Sequence, residues 1–198
     1  MIEIVIHGRG GQGAVTAAKI LATAALEDGK FTLYRPGFFA AERQGAPVKA
    51  FVRIGGKEFA RHKIDKADGI IILDPSLVKL DLLDVKGGLK ENGWAIVNAS
   101  EKDFAEITGK IFYPNLKLFI IDANGLALKH GLGKVVNTAI LGVLAGPLFN
   151  AVSFSSLENA VRKIAPRKIE ENLKSLKDAS SSMKEMDETA RTLLGIGI

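Results

Sequence analysis

HGRGGQGAVTAAKILATAAL, residues 7–26, follows the β-branched run IEIVI and precedes any other recognisable element. Glycines occupy positions 8, 10, 11 and 13, and Gly8, Gly10 and Gly13 satisfy the spacing G-x-G-x-x-G. Ile2–His7 reads as a strand, and Ala14–Leu26, rich in helix formers and free of proline, reads as a helix. Strand, glycine turn and helix in that order predict an α/β fold. Bare glycines permit a tight turn and let a ligand approach the backbone, and the unpaired N–H groups of a helix N-terminus suit an anion. Arg9 and Gln12, lying between the glycines, offer donors to an anion or a neighbouring chain. The plainer alternative is that the glycines only allow a tight crossover.

The remaining chain continues the same grammar. FTLYR (31–35) reads as a second strand ended by Pro36 and Gly37, and VKAFVRI (48–54) as a third, with Gly55-Gly56 suggesting a hairpin into KEFAR (57–61). GIIILD (69–74), WAIVN (94–98) and LKLFIIDA (116–123) supply further strands. Between the first two, Leu77, Leu80, Leu83 and Val85 suggest a helix over 76–89. The expectation is a three-layer, mainly parallel, Rossmann-like sheet with an antiparallel excursion around residues 48–60. After Asn124 the pattern turns helical. Pro166 fits the first turn of a long last helix along which Ile169, Leu173, Leu176, Met183, Met186, Ala190 and Leu193 return to one face, to lie against the sheet or a partner subunit. No internal linker is visible, so residues 1–198 are expected to form one domain with a helical extension over about 150–198.

A dinucleotide site needs an acid at the end of the second strand to bind ribose hydroxyls, and Tyr34-Arg35-Pro36-Gly37 supplies none, although Arg35 would suit a 2′-phosphate. A phosphate loop of the Walker kind lacks its Lys and Ser/Thr. A second polar cluster, Glu42, Arg43 and Gln44, follows Phe38-Phe39; loops leaving the carboxyl ends of neighbouring strands converge, so it is expected beside Arg9 and Gln12. Asp74 and Asp122 sit at strand ends as helix caps or ligand contacts, and Asn137 as the N-cap of the helix it begins with Thr138. No constellation for covalent or acid–base catalysis emerges.

Composition narrows the partners. The 198 residues contain no cysteine, so no cysteine-ligated iron–sulfur cluster or disulfide can belong to this chain, and His7, His62 and His130 lack metal-ligand spacing. A formal charge of +5 suits phosphorylated ligands or acidic partners, yet Lys and Arg are dispersed among acids, which argues against nucleic acid. With no bilayer-length apolar run and no basic-then-apolar leader, a cytoplasmic protein without membrane association is expected.

Three blocks, GRGGQGAVTAAKILATAAL (8–26), PGFFAAERQGAPVKAFVRI (36–54) and DANGLALKHGLGKVVNTAILG (122–142), together with the tail KIEENLKSLKDA (168–179), closely resemble the gamma subunit of 2-oxoacid:ferredoxin oxidoreductases, especially the pyruvate (pyruvate synthase) and branched-chain members. The resemblance implies a multi-subunit enzyme that converts a 2-oxoacid and coenzyme A to acyl-CoA and CO2 with reduction of ferredoxin. It implies thiamine diphosphate and iron–sulfur clusters on alpha, beta and delta subunits, and a gamma chain that holds none of them, accommodates coenzyme A and docks. Carried onto this chain, Gly8, Arg9, Gly10, Gly11, Gln12, Gly13, Glu42, Arg43, Gln44, Asn137 and Thr138 become the candidate coenzyme A or subunit-contact residues. A structural subunit and a free NADP-binding Rossmann protein stand as alternatives. Where the family often reads E-x-R-G-G-P or a close variant, this chain has ERQGAP, so Gln44 replaces a glycine or the frame is shifted.

Overall fold

A computed structural model describes residues 1–37, 44–55, 64–145, 149 and 151–193, with side chains described through 182. Glu42, Arg43, Phe38, Phe39, His62 and the expected hairpin arm 57–61 lie outside the described residues, as do the side chains of Met183, Met186, Ala190 and Leu193.

Six strands form one sheet: β1 (Ile2–Arg9), β2 (Thr32–Pro36), β3 (Pro47–Ile54), β4 (Ala67–Ile72), β5 (Leu89–Asn98) and β6 (Lys117–Ile121), in the order β2-β3-β1-β4-β5-β6. The pairs β1·β4, β4·β5 and β5·β6 are parallel, while β3 runs antiparallel to both β1 and β2. The antiparallel excursion expected around residues 48–60 is therefore present over its described part and lies inside the sheet. It has a functional consequence. In a dinucleotide fold the second strand lies parallel beside the first and brings its end to the ribose. Here β3 separates β2 from β1, so Arg35 stands one strand further away.

Alternation of side chains divides the core. Ile4 and Ile6 of β1, with Ile71, Ile96 and Phe119, face α1 (Ala14–Glu27), α5 (Ala123–Lys129), α6 (Asn137–Gly142), α7 (Phe154–Ile164) and α8 (Ile169–Leu193). Val5, Ile70, Ile72, Ala95, Val97 and Ile120 face α2 (Ser76–Lys79), α3 (Val85–Gly88) and α4 (Phe104–Ile111). The crossover from β1 thus covers one face and those from β4 and β5 the other. That places a topological switch point between the carboxyl ends of β1 and β4.

Two local expectations are corrected. The helix over 76–89 is two single turns, α2 and α3, because Asp81 adopts φ 52° and the Asp84 carboxylate caps the second turn through Gly87 N–H. Leu80 is exposed, and the buried set is Leu77, Val78 and Val85. Pro166 lies before the last helix instead of in its first turn, since Lys168 at φ 52° breaks the chain ahead of Ile169. The amphipathic C-terminal helices take the first of the two expected places, against the chain's own sheet: Leu157, Ala160 and Val161 of α7 and Leu173, Leu176 and Ala179 of α8 belong to the main core.

Candidate functional site

The glycine loop leaves β1 at the switch point and turns directly into α1. Gly11 (φ 92°) and Gly13 (φ 83°) take left-handed conformations that a side chain disfavours, and Gly13 forms the cap position of α1. No side chain caps this helix and no acid lies in its first turn. Its leading N–H groups, which have no intrahelical partners, and the positive end of its dipole are therefore directed at the loop.

Two distant segments close around it. The backbone of Gly10 exchanges hydrogen bonds with the segment before β3, donating to Ala46 O (2.8 Å) and accepting from Gly45 N–H (3.1 Å). A Cβ on Gly11 would meet Gln44 Cγ at 4.0 Å. From the other side Asn137 Nδ2 donates to Gly13 O (3.3 Å), and its Oδ1 accepts from Thr138 N–H (2.9 Å). Asn137 and Thr138 are both buried. Asn137 is the first residue of α6 and not its N-cap, a position held by Val136. Residues from each of the three sequence blocks thus meet around the glycine loop.

The sequence offers Arg9 and Gln12 as donors for a ligand or neighbour; in the structure they are engaged within the chain. Arg9 Nε and Nη2 donate to Ser76 Oγ (2.9 and 2.8 Å), and Nη1 to Gly45 O (3.0 Å). Gln12 Oε1 accepts from Arg9 N–H (2.8 Å), while Nε2 donates to Asp74 Oδ2 (2.6 Å). Asp74 Oδ1 accepts from Ser76 N–H (2.9 Å) and Oγ–H (2.6 Å), holding the first residue of α2, but the N-cap position of that helix belongs to Pro75 and not, as the sequence suggests, to Asp74. Partial burial works to raise the Asp74 pKa, but hydrogen bonds from Ser76 and Gln12 and the charge of Arg9 outweigh it and hold the carboxyl below its ordinary range. Ser76 is the site residue that sequence reasoning missed. The Asp-Pro-Ser turn at the end of an apolar strand was the available signal.

Two other strand-end residues serve structure. Asp122 Oδ1 caps α5 through Gly125 N–H (2.7 Å). Asn98, buried at the end of β5, donates to Leu73 O (2.8 Å) and accepts from Asn124 N–H (3.3 Å). His7, the last buried side chain of β1, is held neutral: burial, and then the nearby Lys49 ammonium, push its pKa down to about 3. Among the described residues no group of three or more His, Cys, Asp or Glu is arranged to hold a metal, and no helix is long and apolar enough to cross a membrane.

Comparison with known proteins fits this arrangement. The family model described as pyruvate ferredoxin/flavodoxin oxidoreductase matches residues 3–182. Pyruvate synthase subunit PorC of Methanothermobacter marburgensis is 43% identical over 186 residues, covering 93% of this chain and 98% of that protein. The pyruvate/ketoisovalerate oxidoreductases common subunit gamma of Thermococcus kodakarensis is 46% identical over 164 residues, covering 82% and 86%. Among solved structures, the pyruvate oxidoreductase subunit PORC of Thermotoga maritima superposes with a TM-score of 0.74 at 32% identity, covering 90% of this chain and 94% of that one. A 2-oxoglutarate:ferredoxin oxidoreductase from Magnetococcus marinus, solved with 2-oxoglutarate, coenzyme A and succinyl-CoA bound, shares the fold at a TM-score of 0.71 and 19% identity. This chain covers 31% of that longer one, which covers 93% of this chain. The chain belongs to the pyruvate ferredoxin/flavodoxin oxidoreductase family, as a gamma-type subunit of its multi-subunit enzymes.

Proposed function

We propose that this chain forms part of the coenzyme A surface of a pyruvate or related 2-oxoacid:ferredoxin oxidoreductase, and that its glycine loop and α1 N-terminus face a phosphate of the coenzyme. One observation carries the reading: a 14-residue helix begins uncapped and without an acid in its first turn, at the place where Gln44–Ala46 and Asn137 close on the loop. Such an N-terminus stabilises an anion by backbone N–H donation and by its dipole. Gly8, Gly10, Gly11 and Gly13 keep side chains out of the approach, and Asn137 with Thr138 supports the helix start from below. Arg43, matched by the family motif, is the charged side chain assigned to the same ligand, with Glu42 and Gln44 beside it.

The redox chemistry belongs elsewhere in the complex. A chain without cysteine cannot ligate iron–sulfur clusters through thiolates, and the family resemblance assigns those clusters, thiamine diphosphate and the contact with ferredoxin to the alpha, beta and delta partners. This chain would bind and orient the co-substrate and dock to those subunits, while the 2-oxoacid is selected on them.

Val15 gives a direct test, since it lies exposed in the first turn of α1. A carboxylate there favours the isolated helix but opposes a phosphate. In the assembled oxidoreductase, Val15→Glu should raise the KM for coenzyme A about tenfold and leave the KM for the 2-oxoacid unmoved. A second reading, in which these loops serve structure alone, is favoured by the internal engagement of Arg9 and Gln12. It predicts no change in the coenzyme A dependence of Val15→Glu and a failure of assembly when the loop itself is altered.

A further inference from the structure

The glycine loop is held by a closed ring of hydrogen bonds in which two arms of donors leave Arg9 and both end on the Asp74 carboxylate. Arg9 N–H donates to Gln12 Oε1, Gln12 Nε2 donates to Asp74 Oδ2, and Ser76 donates to Asp74 Oδ1 through both its amide and its hydroxyl. Ser76 Oγ in turn accepts from Arg9 Nε and Nη2, so the ring returns to the residue where it began. Each link fixes the next. A backbone N–H can only donate and a carboxylate can only accept, so the Gln12 amide has one permitted orientation. The Ser76 hydroxyl already receives the guanidinium and must send its own proton to Asp74.

Asp74 thus takes three donors, with Arg9 Nε also 3.6 Å from Oδ2. An asparagine at this position has one accepting oxygen. Facing it toward Ser76 sets its Nδ2 against Gln12 Nε2, and facing it toward Gln12 sets Nδ2 against Ser76 N–H. Turning the Gln12 amide over only transfers the conflict to Arg9 N–H. Two donors in contact at a half-buried site leave at least one unsatisfied, which costs more than a hydrogen bond contributes when made.

Asp74, in the turn that follows β4, and Ser76, the first residue of α2, lie on the far side of the switch point from the loop they hold. They do not lie in the loop and are not free to present themselves to a ligand. We propose that Asp74 is a positioning residue: through Gln12 and Ser76 it sets the Arg9–Gly13 backbone, and so the direction in which the α1 N-terminus meets coenzyme A. This rests on the reading above that the loop faces coenzyme A. The ring also explains why two polar side chains lie among the glycines, since they orient the loop and leave its backbone to meet the ligand.

The test uses the assembled oxidoreductase carrying variants of this chain, with coenzyme A titrated at saturating 2-oxoacid. Asp74→Asn should raise the KM for coenzyme A about tenfold and leave that for the 2-oxoacid unmoved. Adding Gln12→Glu to Asp74→Asn reverses one link and conserves charge: the carboxylate introduced in the loop accepts from Arg9 N–H and from the new amide Nδ2 on β4's turn, whose oxygen takes both Ser76 donors. The double variant should therefore bring the KM for coenzyme A back toward that of the parent. Gln12→Glu alone sets two carboxylates face to face, so its KM for coenzyme A should approach the parent value at low pH and rise as the pair loses its shared proton.

An unchanged KM in Asp74→Asn, or no rescue in the double variant, overturns the proposal. If Asp74→Asn fails to assemble, a pH-independent KM in Gln12→Glu overturns it instead. Val15→Glu separates the two readings. If it raises the KM for coenzyme A while Asp74→Asn does not, the positioning role falls and the coenzyme A site stands. If neither moves it, both fall.

Discussion

Gly13 shows how much one residue settles. Its φ of 83° is disfavoured for any residue with a Cβ, and a Cβ built there would lie 2.6 Å from Asn137 Nδ2. Gly13→Ala should therefore destabilise the fold by about 2–3 kcal/mol, part from backbone strain and part from the clash. The two causes can be separated by denaturant titration. Combining Gly13→Ala with Asn137→Ala removes the steric part, so the double variant should be more stable than the sum of the single losses predicts; strict additivity would show that Asn137 does not press on the loop. At this scale the sequence was only partly legible. Glycine spacing identified the loop, and the strand end marked Asp74, but Asn137 lies 124 residues from Gly13 and only the tertiary fold brings them together. Arg9 and Gln12 stand out within the loop, yet their partners Asp74, Ser76 and Gly45 come from the turn after β4, the start of α2 and the segment before β3, which spacing within one motif cannot reveal.

Elements were legible where periodicity and packing agree. β1, β4, β5 and β6 each carry a short buried apolar run because both faces of the sheet beside them are covered, and α1 is alanine-rich because it lies close on the sheet and on α7. They were misread where a side-chain pattern outran the backbone. Leu77, Leu80 and Leu83 keep helical spacing, but the left-handed Asp81 breaks the helix between them and turns Leu80 to solvent. Glycines inside helices show the same dependence on packing. Gly142 ends α6 against α8, where a Cβ would meet Leu176 O at 2.3 Å and Ala179 Cβ at 3.1 Å. Gly109 in α4 has nothing within 4 Å of that position. Alanine is favoured over glycine in a helix by about 1 kcal/mol, so Gly109→Ala should stabilise by up to that amount. At Gly142 the backbone of α8 cannot yield as a flexible side chain would, and the overpacking cost of about 1–3 kcal/mol should prevail over propensity. Thermal or denaturant midpoints that move in the same direction for both variants would contradict this account of the α6·α8 contact.

At the scale of the whole molecule, the shifted titratable groups predict that stability falls in acid, with His7 the first of them to act. Asp28, Asp74 and Asp178 all have carboxyl groups held below their ordinary range; in Asp28 and Asp74 hydrogen bonds outweigh burial, and in Asp178 bonds from Lys129 and then His130 lead. Their stabilisation is present above the unfolded carboxylate pKa and is lost only as pH falls through the still lower folded values. His7 acts earlier. It titrates near 6.5 when unfolded and at about 3 when folded, because burial and Lys49 oppose its charge. Between those values the unfolded chain binds a proton that the folded chain refuses, so stability is complete above pH 6.5 and declines toward pH 3. The slope from this one group is about 1.4 kcal/mol per pH unit. Chemical denaturation between pH 7.5 and 4.5 should show that slope below pH 6.5, ahead of any carboxylate contribution. His7→Gln, which keeps a polar side chain of similar reach without titrating, should flatten the profile over that range while the steeper acid loss remains. A wild-type profile already flat from pH 6.5 to 4.5 would mean that His7 accepts its proton in place, and that the sheet beside the glycine loop is open to water at physiological acidity.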